Sequence, residues 1–323
     1  MSVAAYSSVK VITTARLHMG FIDMHGGLGR RFGSIGLSLD KPATRLQVAA
    51  SDDFSVSGPT TEHTAERVAA CARRFAQLVG LTGCAHFKML EAIPEHSGLG
   101  SGTQMSLAVG VALSKLYGLG LTAREVAALA SRGARSGIGV GAFEHGGLLV
   151  DGGRGPHTQV PPLIARMDFP EAWRIILVSD MGGLGVHGAQ ELQAFGALPE
   201  FPAAQAAHLS RLVLMQALPA VAEQDLESFG VAISELQRTV GDHFAAEQGG
   251  GCYISPAVAD AMAWLEAQGV SCVGQSSWGP TGFAVVASEE QAAKLLQGLE
   301  QRGMPLRYEI CSAHNTGSIV EAI

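Results

Sequence analysis

Ile93-Pro94-Glu95-His96-Ser97-Gly98-Leu99-Gly100-Ser101-Gly102-Thr103-Gln104 is the stretch on which the reading of the fold turns. A strand-like run, His86 to Ile93, leads into it, and a mostly apolar helix, Gly102 to Tyr117, leads out. Small residues let the backbone wrap closely around an anion. The exposed N–H groups and the dipole at the helix start favour phosphate. Ser101 and Thr103 add hydroxyls that can donate to a phosphate or reach a phosphate-bound Mg2+. The spacing is neither G-x-x-x-x-G-K-[ST] nor G-x-G-x-x-G, which excludes a Walker loop and a dinucleotide fingerprint. Glycine content alone is equally compatible with a tight turn that binds nothing.

Outward from this loop, the 323 residues predict about two domains. Hydrophobic residues make up 47% and charged residues 16%, enough apolar surface for a large core and too much for intrinsic disorder. A net charge of −7 gives no electrostatic footprint for nucleic acid. The five cysteines form no C-x-x-C pair and suit reduced thiols. No basic segment followed by an apolar run opens the chain, and no apolar stretch reaches membrane-spanning length. These features predict a soluble cytoplasmic protein with no membrane or nucleic-acid partner. Strand composition marks 9–13 and 44–50. Helical spacing marks 62–79, and Thr122 with Glu125 predicts a capping box at the start of a helix over 122–132. The Gly- and Pro-rich stretch 152–170 is the expected domain boundary, giving domains 1–160 and 161–323. In the second half, strands are expected at 173–179, 270–274 and 282–287, and helices at 203–218, 225–239, 255–268 and 289–302. Mixed helices and strands in both halves give an α+β chain.

Pro94-x-x-Ser97-Gly98-Leu99-Gly100-Ser101-Gly102 followed by an apolar helix resembles the second motif of the GHMP kinase superfamily. Gly274-Gln275-Ser276-Ser277-Trp278-Gly279-Pro280-Thr281-Gly282 resembles the third, a loop that closes over the site. Ala15 to Asp23 sits where the first, substrate-side motif belongs. The resemblance implies a ribosomal-protein-like N-terminal α/β domain and a ferredoxin-like C-terminal domain. Where many of these kinases carry S-G-x-D, this chain reads Ser136-Gly137-Ile138-Gly139, so Gly139 replaces the Asp that takes the substrate proton. The segments His18 to Asp23, Gly29 to Gly36, Pro94 to Gln104, Arg132 to Gly139, Phe143 to Gly147, Val150 to Gly153 and Gln248 to Tyr253 together resemble the β-ribofuranosylaminobenzene 5'-phosphate synthase family. That resemblance implies reaction of phosphoribosyl pyrophosphate with 4-aminobenzoate, or with 4-hydroxybenzoate in some relatives, in methanopterin-type cofactor synthesis. CO2 and pyrophosphate leave. It also implies a homodimer, a divalent cation such as Mg2+ and no organic cofactor. Since CO2 departs from the ring, no base is needed there.

Candidate residues follow. Asp23 is expected to hold metal or stabilise the ribosyl cation, and Arg30 to bind phosphate or carboxylate; a surface ion pair is the plain alternative. Glu95 and His96 are candidate catalytic groups, and Lys88 a candidate phosphate contact. The segment Gly98, Leu99, Gly100, Ser101, Gly102, Thr103 and Gln104 is expected to bind phosphate, with Arg132, Arg135, Ser136 and Gly137 beside it. Gln275, Ser276, Ser277, Trp278 and Gly279 are expected to close the site. Trp278 and Phe143 are possible surfaces for the aromatic acid to stack on. Ser101 and Glu144 are candidate metal ligands, with Asp151 another acid of that kind. No zinc spacing and no G-x-S-x-G elbow occurs. The alternative function is an ATP-dependent small-molecule kinase; a non-catalytic sensor of a phosphorylated metabolite is a third reading.

Overall fold

A computed structural model describes residues 3–182 and 196–323. Two long antiparallel strands, β1 (Ser8–Asp23) and β2 (Phe32–Ser51), form the spine of a seven-stranded sheet. On β1, the apolar Ala15, Leu17 and Met19 alternate with Arg16 and His18, so one face enters the core and the other turns to the cleft. Bulges at Thr14/Arg16 and His18/Gly20 interrupt the ladder and re-aim these side chains. The strands β3 (Ser55–Ser57), β4 (Cys84–Glu91), β5 (Leu148–Asp151) and β6 (Leu163–Met167) complete the sheet with the C-terminal β11 (Ile319–Ala322), which pairs with β1.

Helix α1 (Glu62–Val79) starts at Thr61, whose hydroxyl accepts from Thr64 N, and ends at Gly80 with φ +66°. Helix α2 (Ser101–Leu116) is buried along most of its length and packs on β1 and β2. The expected capping box opens α3 (Ala123–Leu129): Glu125 N donates to the Thr122 hydroxyl and Thr122 N donates to the Glu125 carboxylate. The short α4 (Ile138–Glu144) follows.

The second sheet is four-stranded, in the order β10 (Arg307–Cys311), β7 (Arg174–Ser179), β9 (Thr281–Val286), β8 (Cys272–Gln275). Helices α5 (Ala203–Leu212), α6 (Leu218–Glu223), α7 (Leu226–Phe244), α8 (Pro256–Ala267) and α9 (Glu289–Gln301) pack around it. A wider turn of helix, Val213–Ala217, joins α5 to α6. It keeps Leu209, Leu212 and Val213 in the core and turns Leu214 and Met215 outward, while Gln216 donates to Ser228 O. The Gly- and Pro-rich stretch is not a plain linker, because β6 lies within it and belongs to the first sheet. One core cluster joins β1 and β2 to α7 and to Phe169, Trp173 and Phe283, so the halves share apolar packing. Among the described residues no helix is long and apolar enough to cross a membrane.

Candidate functional site

Three segments far apart in sequence are tied at one point. Arg16 N donates to Leu99 O at 3.1 Å, and Ser277 N donates to His18 O at 3.1 Å. The wholly buried Ser276 hydroxyl accepts from His18 N at 3.1 Å and donates to Gly98 O at 2.9 Å. The Arg16 guanidinium also donates to Gly98 O. The glycine loop, the first strand and the second glycine loop thereby form one rim. Gly98 and Gly279 are in near contact: a Cβ on Gly98 would stand 2.3 Å from Ser276 O and 2.8 Å from Gly279 Cα.

Beneath that rim lies a cavity of about 490 Å3. Gly98, Gly100, Ser101, Gly102, Thr103, Arg132, Arg135, Ser136, His96, Ser277, Trp278 and Gly279 line it, all expected site residues. Two arginines without an assigned role join them, Arg16 and Arg67. Among the described residues no carboxylate lines it. Helix α2 meets the cavity with its N-terminus: its cap, Gly100 (φ +87°), offers no side chain, and no acid stands in the first turn. The first N–H groups therefore point at the cavity with the dipole unneutralised. Arg132 is braced by its Nε donating to Ser106 Oγ at 3.1 Å, and Ser106 donates in turn to Gly102 O at 2.8 Å. His96, Ser131 and Ser277 line the same cavity with φ between +53° and +60°. Each costs about 1–2 kcal/mol relative to the ordinary backbone, the kind of strain that collects where a loop must hold one shape.

A second, smaller cavity of about 50 Å3 adjoins the first and shares His18, Phe21, Ser277 and Trp278 with it. That is room for roughly four waters, the space of one six-membered ring. Phe21, Phe244 and Trp278 supply aromatic walls, with Val240, Gln237 and Gln248 behind them. His18 stands at the junction, 5% exposed, with its ring edge-on to Phe21 at 4.7 Å and Nε2 without a partner. Burial, then the charge of Arg16, pushes its pKa down to about 3; a hydrogen bond with its own backbone works the other way, and Arg135 adds to the fall. His18 is a neutral imidazole near neutral pH.

Other expected residues lie elsewhere. Leu99 is core, and Gln104 is fully buried, donating to Gly139 O at 2.7 Å and accepting from the Thr13 hydroxyl. Gly137 N donates to Asp151, and Gln275 belongs to the aromatic cavity. Lys88 is exposed on β4 and lines neither cavity, because strand alternation sends it to solvent. Glu95 is not on the phosphate cavity. It pairs with Arg67 at 2.6 Å, accepts from Thr64 at 3.0 Å, meets His63 at 3.1 Å, and so fixes Arg67. Asp23 and Arg30 line a separate groove of about 370 Å3. There Asp23 accepts from Gly26 N, and Arg30 donates to the carbonyls of Gly152 and Gly153. Phe143 is buried in the core of the first half.

The expected metal ligands do not converge. Glu144 faces Arg124 at 3.2 Å, away from Ser101. Asp151 is 1% exposed and saturated by Ser34, Ser136, Gly137 N and Gly153 N, with burial raising its pKa above the ordinary carboxylate range. Among the described residues no group of three or more His, Cys, Asp or Glu is placed to hold a metal ion. The described cavity wall, whose polar groups are guanidiniums, imidazoles, hydroxyls and backbone amides, does not fit a resident Mg2+, which is held through carboxylates.

The arginines at the cavity that sequence reasoning missed had unequal signals. Arg16 and His18 alternate with buried apolar residues on β1, a visible polar stripe. Arg67 on α1 has no local mark, because what singles it out is Glu95, twenty-eight positions away.

Comparison with known proteins agrees with this geometry. The models for the GHMP kinases N terminal domain and the GHMP kinases C terminal domain match residues 65–147 and 217–305. The chain is 34% identical to beta-ribofuranosylphenol 5'-phosphate synthase of Archaeoglobus fulgidus over 97% of its own length and 99% of that protein's. It is 32% identical to the protein of that name from Methanothermobacter thermautotrophicus, covering 95% and 97%. Among solved structures it resembles a mevalonate kinase from L. major, with a TM-score of 0.69 and 15% identity over 98% of this chain and 100% of that one, a likeness of fold alone.

Proposed function

The chain belongs to the beta-ribofuranosylphenol 5'-phosphate synthase family, built on the GHMP kinase fold, and from that premise we propose that it is a decarboxylating phosphoribosyltransferase of methanopterin-type cofactor synthesis. It joins phosphoribosyl pyrophosphate to 4-hydroxybenzoate or 4-aminobenzoate and releases CO2 and pyrophosphate. The observation that carries this reading is the pairing of cavities. Among the described residues, one is lined by four arginines (Arg16, Arg67, Arg132, Arg135) and no carboxylate, and it shares His18, Phe21, Ser277 and Trp278 with an aromatic-walled space.

The donor's phosphates occupy the first cavity, against the N–H groups of Ser101 and Gly102 and the arginines. As the bond from ribose C1 to the diphosphate oxygen breaks, its electron pair stays on that oxygen. The charge developing there meets donors already in place. The acid's ring lies in the second cavity, where π electrons of the carboxylate-bearing carbon form the new bond to C1. The bond to the carboxylate carbon then breaks, CO2 leaves, and the electron pair restores the aromatic ring. No proton is taken from that carbon, so no base is required. A neutral His18 adds no positive charge beside the sugar cation. Mg2+ enters this reading as a companion of the donor's phosphates, part of the substrate. The homodimer is part of the same proposal. Leu28, Ile164 and Leu214, exposed on the separate groove, supply an apolar face for it, and sedimentation measurements decide the assembly.

The kinase alternative lacks the carboxylate that many of these kinases use on the attacking alcohol: Gly139 stands at its place, and among the described residues no carboxylate lines this cavity. Carboxyl-labelled 4-hydroxybenzoate with phosphoribosyl pyrophosphate and Mg2+ is the direct test. Label released as CO2 together with pyrophosphate supports the transferase. Label retained on the ring, or ATP consumed with an alcohol acceptor, overturns it.

A further inference from the structure

Gln248, which lines the aromatic cavity, carries a buried atom that the reaction above leaves unused. Gln248 ends a short turn of helix at Ala245–Gln248 and is 8% exposed. Its amide nitrogen donates to two backbone carbonyls, Gly241 O at 3.3 Å and Gly251 O at 2.8 Å. Those acceptors fix the orientation of the group, because a flipped amide would set oxygen against both carbonyl oxygens. The side-chain oxygen Oε1 is therefore held away from them, buried and without a partner. Buried acceptors are almost always satisfied, and one that is not points to what completes it.

The neighbouring carboxamides are already engaged. Gln275 accepts from Ile254 N at 2.7 Å and donates to Ser277 O at 3.0 Å. Gln237 accepts from Gln275 N at 2.8 Å and donates to Met19 O. Cys252 Sγ donates to Asp242 at 3.0 Å.

Position adds the second constraint. The wall shared with the phosphate cavity is His18, Phe21, Ser277 and Trp278, and Gln248 belongs to the part that is not shared. A ring whose carboxylate-bearing carbon reaches the sugar must turn its opposite carbon away from the phosphates. The para substituent then points into the unshared part of the cavity. We propose that Gln248 Oε1 accepts a hydrogen bond from that para substituent and so selects aromatic acids carrying a donor, hydroxyl or amino, opposite the carboxylate. An acceptor-only atom takes O–H and N–H alike, which admits both phenol- and aniline-type acids. It rejects a halogen, an ether or an ionised phenolate, each of which brings a second lone pair and no proton. This rests on the transferase reading above.

The test uses the full chain turning over 4-aminobenzoate with phosphoribosyl pyrophosphate, with 4-hydroxybenzoate, 4-fluorobenzoate and 4-methoxybenzoate as competitors. Fluorine matches the hydroxyl in size and lacks its proton. The wild-type chain should bind 4-hydroxybenzoate at least about tenfold more tightly than 4-fluorobenzoate. In Gln248→Met and Gln248→Leu that ratio should fall to near one, through weaker binding of the hydroxy acid and unchanged binding of the fluoro acid. If Gln248 only braces Gly241 and Gly251, both competitors weaken together and the ratio survives, which overturns the proposal. So does a wild-type ratio near one, a result that needs no variant to fold. A wild-type chain that releases no CO2 at all refutes the transferase reading instead, and the assignment of Gln248 falls with it.

Discussion

Replacing Gly98 with alanine tests whether contact between the two glycine loops shapes the phosphate cavity. Gly98 has φ +80°, so alanine there carries left-handed strain. Its Cβ would stand 2.3 Å from Ser276 O and 2.8 Å from Gly279 Cα. Ordinary carbon–oxygen contacts begin near ~3.3 Å, so the loops must part by about 1 Å. Both obstructing atoms are backbone, and no rotamer change relieves them. Parting also stretches the hydrogen bond from Ser276 Oγ to Gly98 O, now 2.9 Å. Strain, overpacking and the weakened bond together amount to about 3–6 kcal/mol, a large share of the ~5–15 kcal/mol that holds a typical domain. Gly120→Ala is the control, with φ +71° and no heavy atom within 4 Å of the added Cβ. It carries strain alone, about 1–2 kcal/mol. Urea denaturation of both variants reads the difference. Turnover of Gly98→Ala should fall about 100-fold, the usual consequence of a 1 Å misplacement of binding groups. Equal destabilisation of the two variants, with Gly98→Ala still active, refutes the reasoning.

Arg132→Gln should raise the KM for phosphoribosyl pyrophosphate about ten- to a hundredfold, the worth of a hydrogen bond to a charged group, while the KM for the aromatic acid stays close to wild type in steady-state kinetics. Burial acts to raise the Glu95 pKa, but the hydrogen bond and charge of Arg67, with Thr64 and His63, outweigh it and hold the carboxyl below its ordinary value of 4.5. The carboxylate therefore stabilises the fold above pH 4.5 and loses that contribution as pH falls through the lowered folded value. The stability gap between wild type and Glu95→Gln should be full at pH 7 and shrink below pH 4.5 in pH-dependent denaturation. With its pKa pushed down to about 3, His18 should show no imidazole titration between pH 5 and 8 by NMR, in contrast to an exposed histidine.

Much of the fold was legible because its signals are local. The helix over 62–79 is announced by an apolar stripe through Val68 and Phe75. Thr122 and Glu125 announce their capping box within four residues. The strands β1 and β2 run well past the segments that carry strand composition, because Gly20 and Gly33 lie within them and the bulges break the alternation that periodicity relies on. The last two strands were not anticipated: β11 exists by pairing with β1 across the length of the chain, and a short exposed segment carries no mark of that. The site divides in the same way. The loops holding Gly98 and Gly279 announce themselves by composition. That Ser276 joins them to His18, 258 positions away, is a fact of the fold alone. Asp23 and Glu144 are engaged by Gly26 N and by Arg124, because an acid beside glycines is as easily claimed by a backbone amide or an arginine as by a cation.

The replacement of aspartate by Gly139 gains a physical reason from the structure. A Cβ at Gly139 would stand 3.1 Å from Thr103 Cγ2 and 3.4 Å from Thr103 Cβ. Thr103 is in the first turn of the helix that meets the larger cavity, and Gln104 beside it anchors the Gly139 carbonyl at 2.7 Å. A side chain at 139 would therefore sit tight against Thr103, which would have to give by a few tenths of an ångström. Under the proposed reaction, a carboxylate facing the cavity would withdraw positive charge from the departing diphosphate. A kinase accepts that cost because it must remove a proton from an alcohol. A reaction in which CO2 carries away the ring substituent has no proton to remove from that carbon. Under the proposed transferase reaction, glycine at 139 and a cavity wall without carboxylates among the described residues answer to one requirement, that the charge of the site serve the leaving group.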